Sequence, residues 1–378
     1  MLKRCWSSIA IVAALLTLAS CLRPAFAEAQ PNKRIALFAQ RASGDPFWTM
    51  IERFMQAACH DLGMELTVYY AENDRGKMLR NVKNAVAAPQ KPDALVFPNL
   101  KEIAPDLIKV ADQARVPAIL INSGVSEEFR AEIGLPKEKF PFWIGQILPD
   151  DVGAGAELAR LLIETAKQRG NVGADGLVHL FGITGTISDM ASKLRAEGLE
   201  QAVEQRTDAA LHQVVPANWD QVDAKQRFIG LMGRYPATTV VWAASDLMAI
   251  GIAEGSKEHN LPSGQPIVTG GVDWTSEGIA AVQSGQLVAS MGGHFMEGGW
   301  AAVVFYDYFQ GVEAARQAID VRSPMIALTK ENLDAYLQFQ QADWEQIDFK
   351  AFSKAATPSV TAYDFRFDAV LKQLGLPK

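Results

Sequence analysis

The sequence predicts an α/β protein of two lobes, each a doubly wound parallel sheet, and three observations carry that prediction. From Arg34 onward, short β-branched or aliphatic runs alternate with amphipathic stretches of helical period. Ten such runs are more than one tidy sheet accommodates. The chain of 378 residues is also too long for a single ordinary core.

The expected strands are 34–39, 65–70, 94–97, 117–121 and 142–147, then 176–182, 211–215, 239–244, 267–271 and 287–291. Helical patterns lie between them at 46–62, 77–87, 103–114, 151–168, 188–205, 219–233, 247–259, 276–284 and 296–310. Glycines after Leu62 and Arg169 mark two helix ends. Beyond them, 311–322 reads as a linker-like crossing, 331–341 as helix and 356–361 as loop. Alternating β and α elements place helices on both faces of parallel sheets, and right-handed crossovers bring all strand C-termini to one edge. Ligands of open α/β sheets sit beyond that edge, so the turns after the strands are the candidate site.

The N-terminus reads as an export leader. Lys3 and Arg4 precede an apolar run over 9–19, and Ala25-Phe26-Ala27 is a small-x-small cleavage signal, which gives a signal peptide over 1–27. Pro24 and acidic Glu28 around that signal suit soluble export, while Leu18-Ala19-Ser20-Cys21 offers the alternative of lipid anchoring at Cys21. Cys59 is then the one cysteine of the mature chain, so no intramolecular disulfide forms. The net charge is −7, with no Lys/Arg-rich run, which excludes nucleic acid as a partner class.

The first strand exits into Arg41-Ala42-Ser43-Gly44-Asp45-Pro46-Phe47-Trp48. Pro46 suits a first helical position and Asp45 the cap before it. Adjacent Phe47 and Trp48 point to different faces of the helix, so one of them looks toward the cleft, where an aromatic face can stack on a sugar-like ring or an apolar ligand face. Asp246 and Asp273 follow later strands, where capping and ligand binding are compatible roles. Trp219 and Trp274 read as packing at helix starts, and Glu297 as a surface residue.

Asp45-Pro46-Phe47-Trp48, Asp150-Asp151, Arg195-Ala196-Glu197-Gly198-Leu199, Ala244-Ser245-Asp246-Leu247 and Gly271-Val272-Asp273-Trp274 together resemble the motifs of ribose/galactose-type (type 1) periplasmic binding proteins. The resemblance runs in the family's order over about 34–310. It implies three hinge crossings, with an N-terminal lobe of 33–148 plus 293–320 and a C-terminal lobe of 149–292 plus 321–378. It implies a cleft made by Asp45, Phe47 and Trp48, by Asn99, by Asn122 where the family has Asp-Arg, by Arg195 with Lys193 as the register-shifted alternative, by Ser245 and Asp246, by Asp273, and by His294 in place of a closing glutamine. Losing the Asp-Arg pair removes a carboxylate and a bidentate donor, which points to a variant ligand. Ile187-Ser188-Asp189, Pro141-Phe142-Trp143-Ile144-Gly145 and the long C-terminal tail are similar to the autoinducer-2 receptor branch.

Catalytic signatures are missing. There is no phosphate-cradling loop and no nucleophile elbow, and the five histidines are dispersed, without metal-ligand spacing. Gly153-Ala154-Gly155 lacks the third glycine of a dinucleotide loop and suits tight helix–sheet packing. The expectation is a periplasmic monomer, not an enzyme, without cofactor or metal, that closes on a small sugar or sugar-like polyol. It would deliver that ligand to an inner-membrane ABC permease or, alternatively, report it to a membrane sensor kinase or cyclase.

Overall fold

Each aliphatic run becomes a strand because its β-branched side chains fill a sheet covered on both faces. The computed structural model describes residues 32–258 and 267–377. The leader over 1–27, with Cys21, and the helix end at His259 lie outside the described residues. In chain order the strands are β1 Lys33–Ala39, β2 Met64–Tyr70, β3 Ala94–Phe97, β4 Ala118–Ile121, β5 Trp143–Pro149, β6 Val178–Thr184, β7 Ala209–Pro216, β8 Val240–Ala243, β9 Val268–Val272, β10 Ala289–Gly292, β11 Ile319–Ser323 and β12 Ile326–Thr329. The helices are α1 Pro46–Asp61, α2 Arg75–Ala87, α3 Ala104–Ala114, α4 Glu127–Ile133, α5 Asp151–Gln168, α6 Met190–Glu204, α7 Gln221–Arg234, α8 Asp246–Glu258, α9 Ser276–Gln283, α10 Glu297–Phe309, α11 Glu313–Arg316, α12 Leu333–Gln341 and α13 Phe367–Gln373. All ten expected strands and the nine expected helices form within about two residues of their sequence bounds.

Two six-stranded sheets result, ordered β11-β5-β4-β3-β1-β2 and β12-β10-β9-β8-β6-β7. Every pairing is parallel except β10 with β12. The chain passes between the sheets after Pro149, after Gly292 and between Ser323 and Ile326. Segment 311–322, read as a linker, contains β11, which pairs with β5 from Ile319↔Gly145 to Ser323↔Pro149. At the sheet edge its alternation of buried Ile319 and Ser323 with exposed Asp320 and Arg322 is enough to hold a strand. No long aliphatic run announces it.

Glycines at Gly63 and Gly170 take φ of 67° and 71°, the left-handed turn that ends α1 and α5. Gly155 packs helix on helix, not helix on sheet as its sequence context suggests. A Cβ there would lie 2.0 Å from the Arg195 carbonyl, and one on Gly198 would lie 2.1 Å from the Val152 carbonyl. The two glycines therefore let α5 and α6 touch backbone to backbone.

The C-terminal tail packs on elements of both sheets. Trp344 and Phe349 meet Phe54 of α1 edge-on, at 5.7 and 5.2 Å, and Phe365 stacks on Trp300 of α10 at 4.8 Å. Buried Asp307 of α10 anchors the tail by accepting from Ser353 Oγ, the amides of Lys354 and Ala355, and Tyr363 Oη. Tyr336 and Phe367 lie against Trp274, just after β9, at 4.8 and 5.1 Å.

Candidate functional site

Strand-exit turns of both sheets converge on a cavity of about 70 Å³. On the same measure one water needs roughly 10–15 Å³, so the space suits a compact small molecule, not an oligosaccharide. The lobe of the first sheet contributes Gln40, Arg41, Asp45, Phe47, Trp48, Asn122 and Ser123. The lobe of the second contributes Asp189, Ala191, Arg195, Trp219, Ser245, Leu247, Asp273 and Thr275.

The aromatic wall follows from the first turn. Asp45 Oδ1 accepts from the Trp48 amide at 3.1 Å and caps α1, while Oδ2 takes the Arg41 Nε at 3.2 Å. Pro46 begins the helix, and both Phe47 and Trp48, not one of them as expected, reach the cavity, their rings edge-on at 6.1 Å. Behind Phe47 the His294 ring stacks at 4.5 Å.

The polar wall centres on Arg195, which is 3% exposed. Its Nε donates to Asp151 Oδ1 at 2.7 Å, Nη1 to the Ala244 carbonyl at 2.8 Å and to Asp273 Oδ1 at 3.3 Å, and Nη2 to His294 Nε2 at 3.2 Å. Burial disfavours the guanidinium charge, but the Asp151 and Asp273 carboxylates outweigh it. Arg195 Nη2 can only donate, so His294 Nε2 is the acceptor of that bond, and burial lowers the His294 pKa from its ordinary value. Burial raises the Asp151 pKa, with Arg195 opposing the shift.

The turn that carries Asp273 is strained. Asp273 and Trp274 take φ of 126° and 59°, conformations that cost non-glycine residues about 1–3 kcal/mol each and persist only where the surroundings fix them. Here the Asp273 amide donates to the Met291 carbonyl at 2.7 Å, and the Trp274 indole donates to the Ser290 carbonyl at 2.9 Å. A Cβ on Gly292 would sit 2.3 Å from the Trp274 ring, so this ring needs a glycine beneath it.

The lobes also touch each other at the cavity. Asp189 accepts from Trp219 Nε1 at 2.8 Å within its own lobe, and from Gln40 Nε2 and the Lys101 amide, each at 3.4 Å, across the cleft. Burial raises the Asp189 pKa. Lys193 pairs with Glu102 at 3.6 Å across the same gap with its side chain half-exposed and does not line the cavity, so of the two register alternatives it is Arg195 that does, beside Arg41 of the first lobe.

Seven of the residues expected from sequence line the cavity: Asp45, Phe47, Trp48, Asn122, Arg195, Ser245 and Asp273. Three do not. Asn99 is consumed by its own turn, accepting from the Ala104 amide and donating to Glu102 and the Gly124 carbonyl. Asp246 is fully buried and accepts from the Thr275 amide, Thr275 Oγ1 and Ser290 Oγ, so it braces the Asp273 turn from behind. His294 is fully buried behind Phe47 and Arg195.

Trp219, read as packing, lines the cavity, with the Arg195 guanidinium 5.7 Å from its ring centre. Gly185 makes room for that ring, since a Cβ there would lie 2.0 Å from it. Glu297, read as a surface residue, is fully buried at the start of α10, where it accepts from the Asn122 amide at 2.7 Å and Ser323 Oγ at 2.5 Å. Gln40, Arg41 and Thr275 are further cavity residues that carried no signal in the sequence beyond adjacency to strand exits.

Comparison with known proteins gives the same picture. Residues 35–313 match the family described as periplasmic binding protein domain. The ribose import binding protein of Escherichia coli (strain K12) is 25% identical over 265 residues, covering 70% of this chain and 80% of its own. That of Haemophilus influenzae is 24% identical over 251 residues, covering 65% and 75%. The crystal structure of a periplasmic sugar-binding protein from Pseudomonas fluorescens superposes with a TM-score of 0.79 at 27% identity, over 90% of this chain and 99% of that one. Two parallel sheets linked by three crossings, a cavity where their strand exits face each other, and a match over most of the chain lead to one conclusion: the chain belongs to the periplasmic binding protein family, in its type 1, ribose/galactose branch.

Proposed function

We propose that this chain captures one small neutral polyhydroxylated ligand, a sugar or sugar-like polyol, between its lobes in the periplasm and delivers it to an ABC permease. The observation that carries the reading is the composition of the cavity wall. Phe47, Trp48 and Trp219 offer ring faces, while Asp45, Asp189, Asp273, Asn122, Ser123 and Ser245 offer polar atoms around them. An apolar ring face and a rim of hydroxyls is the ligand shape that uses both.

Charge balance supports neutrality. Arg195 is already answered by Asp151 and Asp273, and Arg41 by Asp45, so an anionic ligand finds no unanswered guanidinium. The Oδ1 of Asn122 and the Oγ of Ser123 are buried without a protein partner, and a hydroxylated ligand satisfies both. The relatives support binding and transport as the role and catalysis as none of it, since those compared are named as binding and import proteins. Closure supplies the output: a ligand that touches both walls favours the closed form by its differential affinity.

A thermal-shift screen of the mature protein against pentoses, hexoses, polyols, furanosyl compounds, amino acids and small amines tests this. Ligand at about 100 times its Kd stabilises by about 2.7 kcal/mol. The expected result is a shift with a sugar or polyol that disappears in Trp48→Ala and Asp273→Asn. A shift confined to amines or amino acids overturns the ligand class.

A further inference from the structure

We infer that Tyr336, on the C-terminal tail beyond the region that matches the family, is a positioning residue of the binding cleft, which it serves by holding the Asp273–Trp274 turn. The inference deepens the sugar-binding reading and rests on it for the role of Asp273.

Tyr336 is 1% exposed and packs against Trp274, which lies between the cavity-lining Asp273 and Thr275 in the chain. Its Oη donates to the Trp274 carbonyl at 2.8 Å and lies 3.9 Å from Met50 Sδ on α1, the helix whose first turn supplies Phe47 and Trp48. Its ring packs edge-on against Trp274 at 4.8 Å, and Phe367 of the same tail closes on Trp274 at 5.1 Å. One side chain of the tail therefore touches both the helix of the aromatic wall and the turn of the polar wall.

The turn needs such a support. Asp273 and Trp274 both have positive φ, and a non-glycine pair relaxes from that conformation unless held. The Trp274 carbonyl is the group that Tyr336 fixes, two peptide planes from the Asp273 side chain that meets Arg195 Nη1 at 3.3 Å. Other holds on the backbone of the turn come from within the second lobe, through Ser290, Met291 and Asp246, while His294, stacked on Phe47, meets the Asp273 carboxylate at 3.5 Å. Among the described residues, Tyr336 is the one that hydrogen-bonds the backbone of the turn and also contacts α1 of the first lobe, and it lies outside the matched span of 35–313.

The conservative variant Tyr336→Phe keeps the ring and removes the one hydrogen bond. Crystal structures of the full mature chain and of this variant, without ligand, read the φ of Asp273 and the Arg195–Asp273 distance. Affinity is then measured with D-ribose and with whichever sugar or polyol the thermal screen identifies. Phe352→Leu serves as the control, since Phe352 packs in the tail against Trp300, away from the turn.

The expected result is a relaxed Asp273 turn in Tyr336→Phe and an affinity weakened roughly three- to tenfold, as for loss of one hydrogen bond. The control should lower the melting temperature while leaving turn and affinity unchanged, which a merely structural tail would not separate. A turn that stays in place overturns the inference whatever the ligand, and so does a turn that moves while affinity holds. If no sugar or polyol binds the wild type, the sugar reading fails on its own, and the ligand-free structures still decide whether Tyr336 holds the turn.

Discussion

Replacing Arg195 by methionine tests whether charge balance holds the site together. Methionine keeps an unbranched chain and a good helix former, so the change removes charge and hydrogen bonds more than packing. Arg195 and its partner Asp151 are each 3% exposed and meet at 2.7 Å. Without the guanidinium, Asp151 stays buried with no cation, and breaking a buried pair in this way costs about 3–5 kcal/mol. At roughly 1.4 °C per kcal/mol for a protein of this length, the melting temperature at neutral pH falls by about 4–7 °C.

The pH dependence gives a second handle on the same variant. Burial already raises the Asp151 pKa, and Arg195 is the main influence opposing that shift, so the variant raises it further. A carboxyl whose folded pKa lies above its unfolded value stabilises fully when protonated, below the unfolded value, and loses that contribution as pH rises through the folded value. The deficit of Arg195→Met is therefore largest at neutral pH and shrinks on acidification toward the carboxylate range. Scanning fluorimetry of both proteins in steps from about pH 4 to 8 measures it. A deficit below about 1 kcal/mol at neutral pH, the size of an exposed pair, or one that does not shrink in acid, refutes the reasoning.

Glu297→Gln imitates the protonated carboxyl, since burial raises the Glu297 pKa well above its usual value. The wild type loses stability as pH rises from the carboxylate range through that raised value and the variant does not, so the melting-temperature difference should grow in favour of the variant with pH. A difference that is flat from acid to neutral pH sinks that assignment. Gly155→Ala places a Cβ 2.0 Å from the Arg195 carbonyl, so α5 and α6 must separate. The expected cost is about 1–3 kcal/mol by thermal denaturation, with weaker ligand binding because Arg195 moves with its backbone. An unchanged melting temperature would show that the glycine is not required there.

Much of the fold was legible because its signals are local. The 16-residue α1 is announced by Asp45 as cap and Pro46 as first residue, and both perform those roles. The fully buried strands β3, β4 and β8 show as unbroken aliphatic or aromatic runs. β11 was not legible, since an edge strand with polar alternate residues looks like a crossing segment. The cavity residues split in the same manner. Asp45, Phe47, Trp48, Arg195, Ser245 and Asp273 sit in or beside recognisable strand-exit or helix motifs. Asn99 and Asp246 have the same sequence context, yet their side chains turn to backbone amides and hydroxyls of neighbouring loops, and nothing in the sequence distinguishes the two orientations.

What the sequence by itself determined is periodicity, and with it the two parallel sheets, the strand-exit edge and most of the cleft. These depend on which residues are apolar and which turns carry glycine, proline or an acid, and each is set within a few residues. What only the tertiary structure decided is burial and partnership between distant segments. Glu297 became a buried carboxyl beneath Asn122 and Ser323, and Trp219 became a cavity wall held by Asp189. The tail came to rest on both Trp274 and Phe54. The physical reason is that desolvation and hydrogen bonding depend on everything that surrounds a group in space, and residues far apart in the chain supply most of those surroundings.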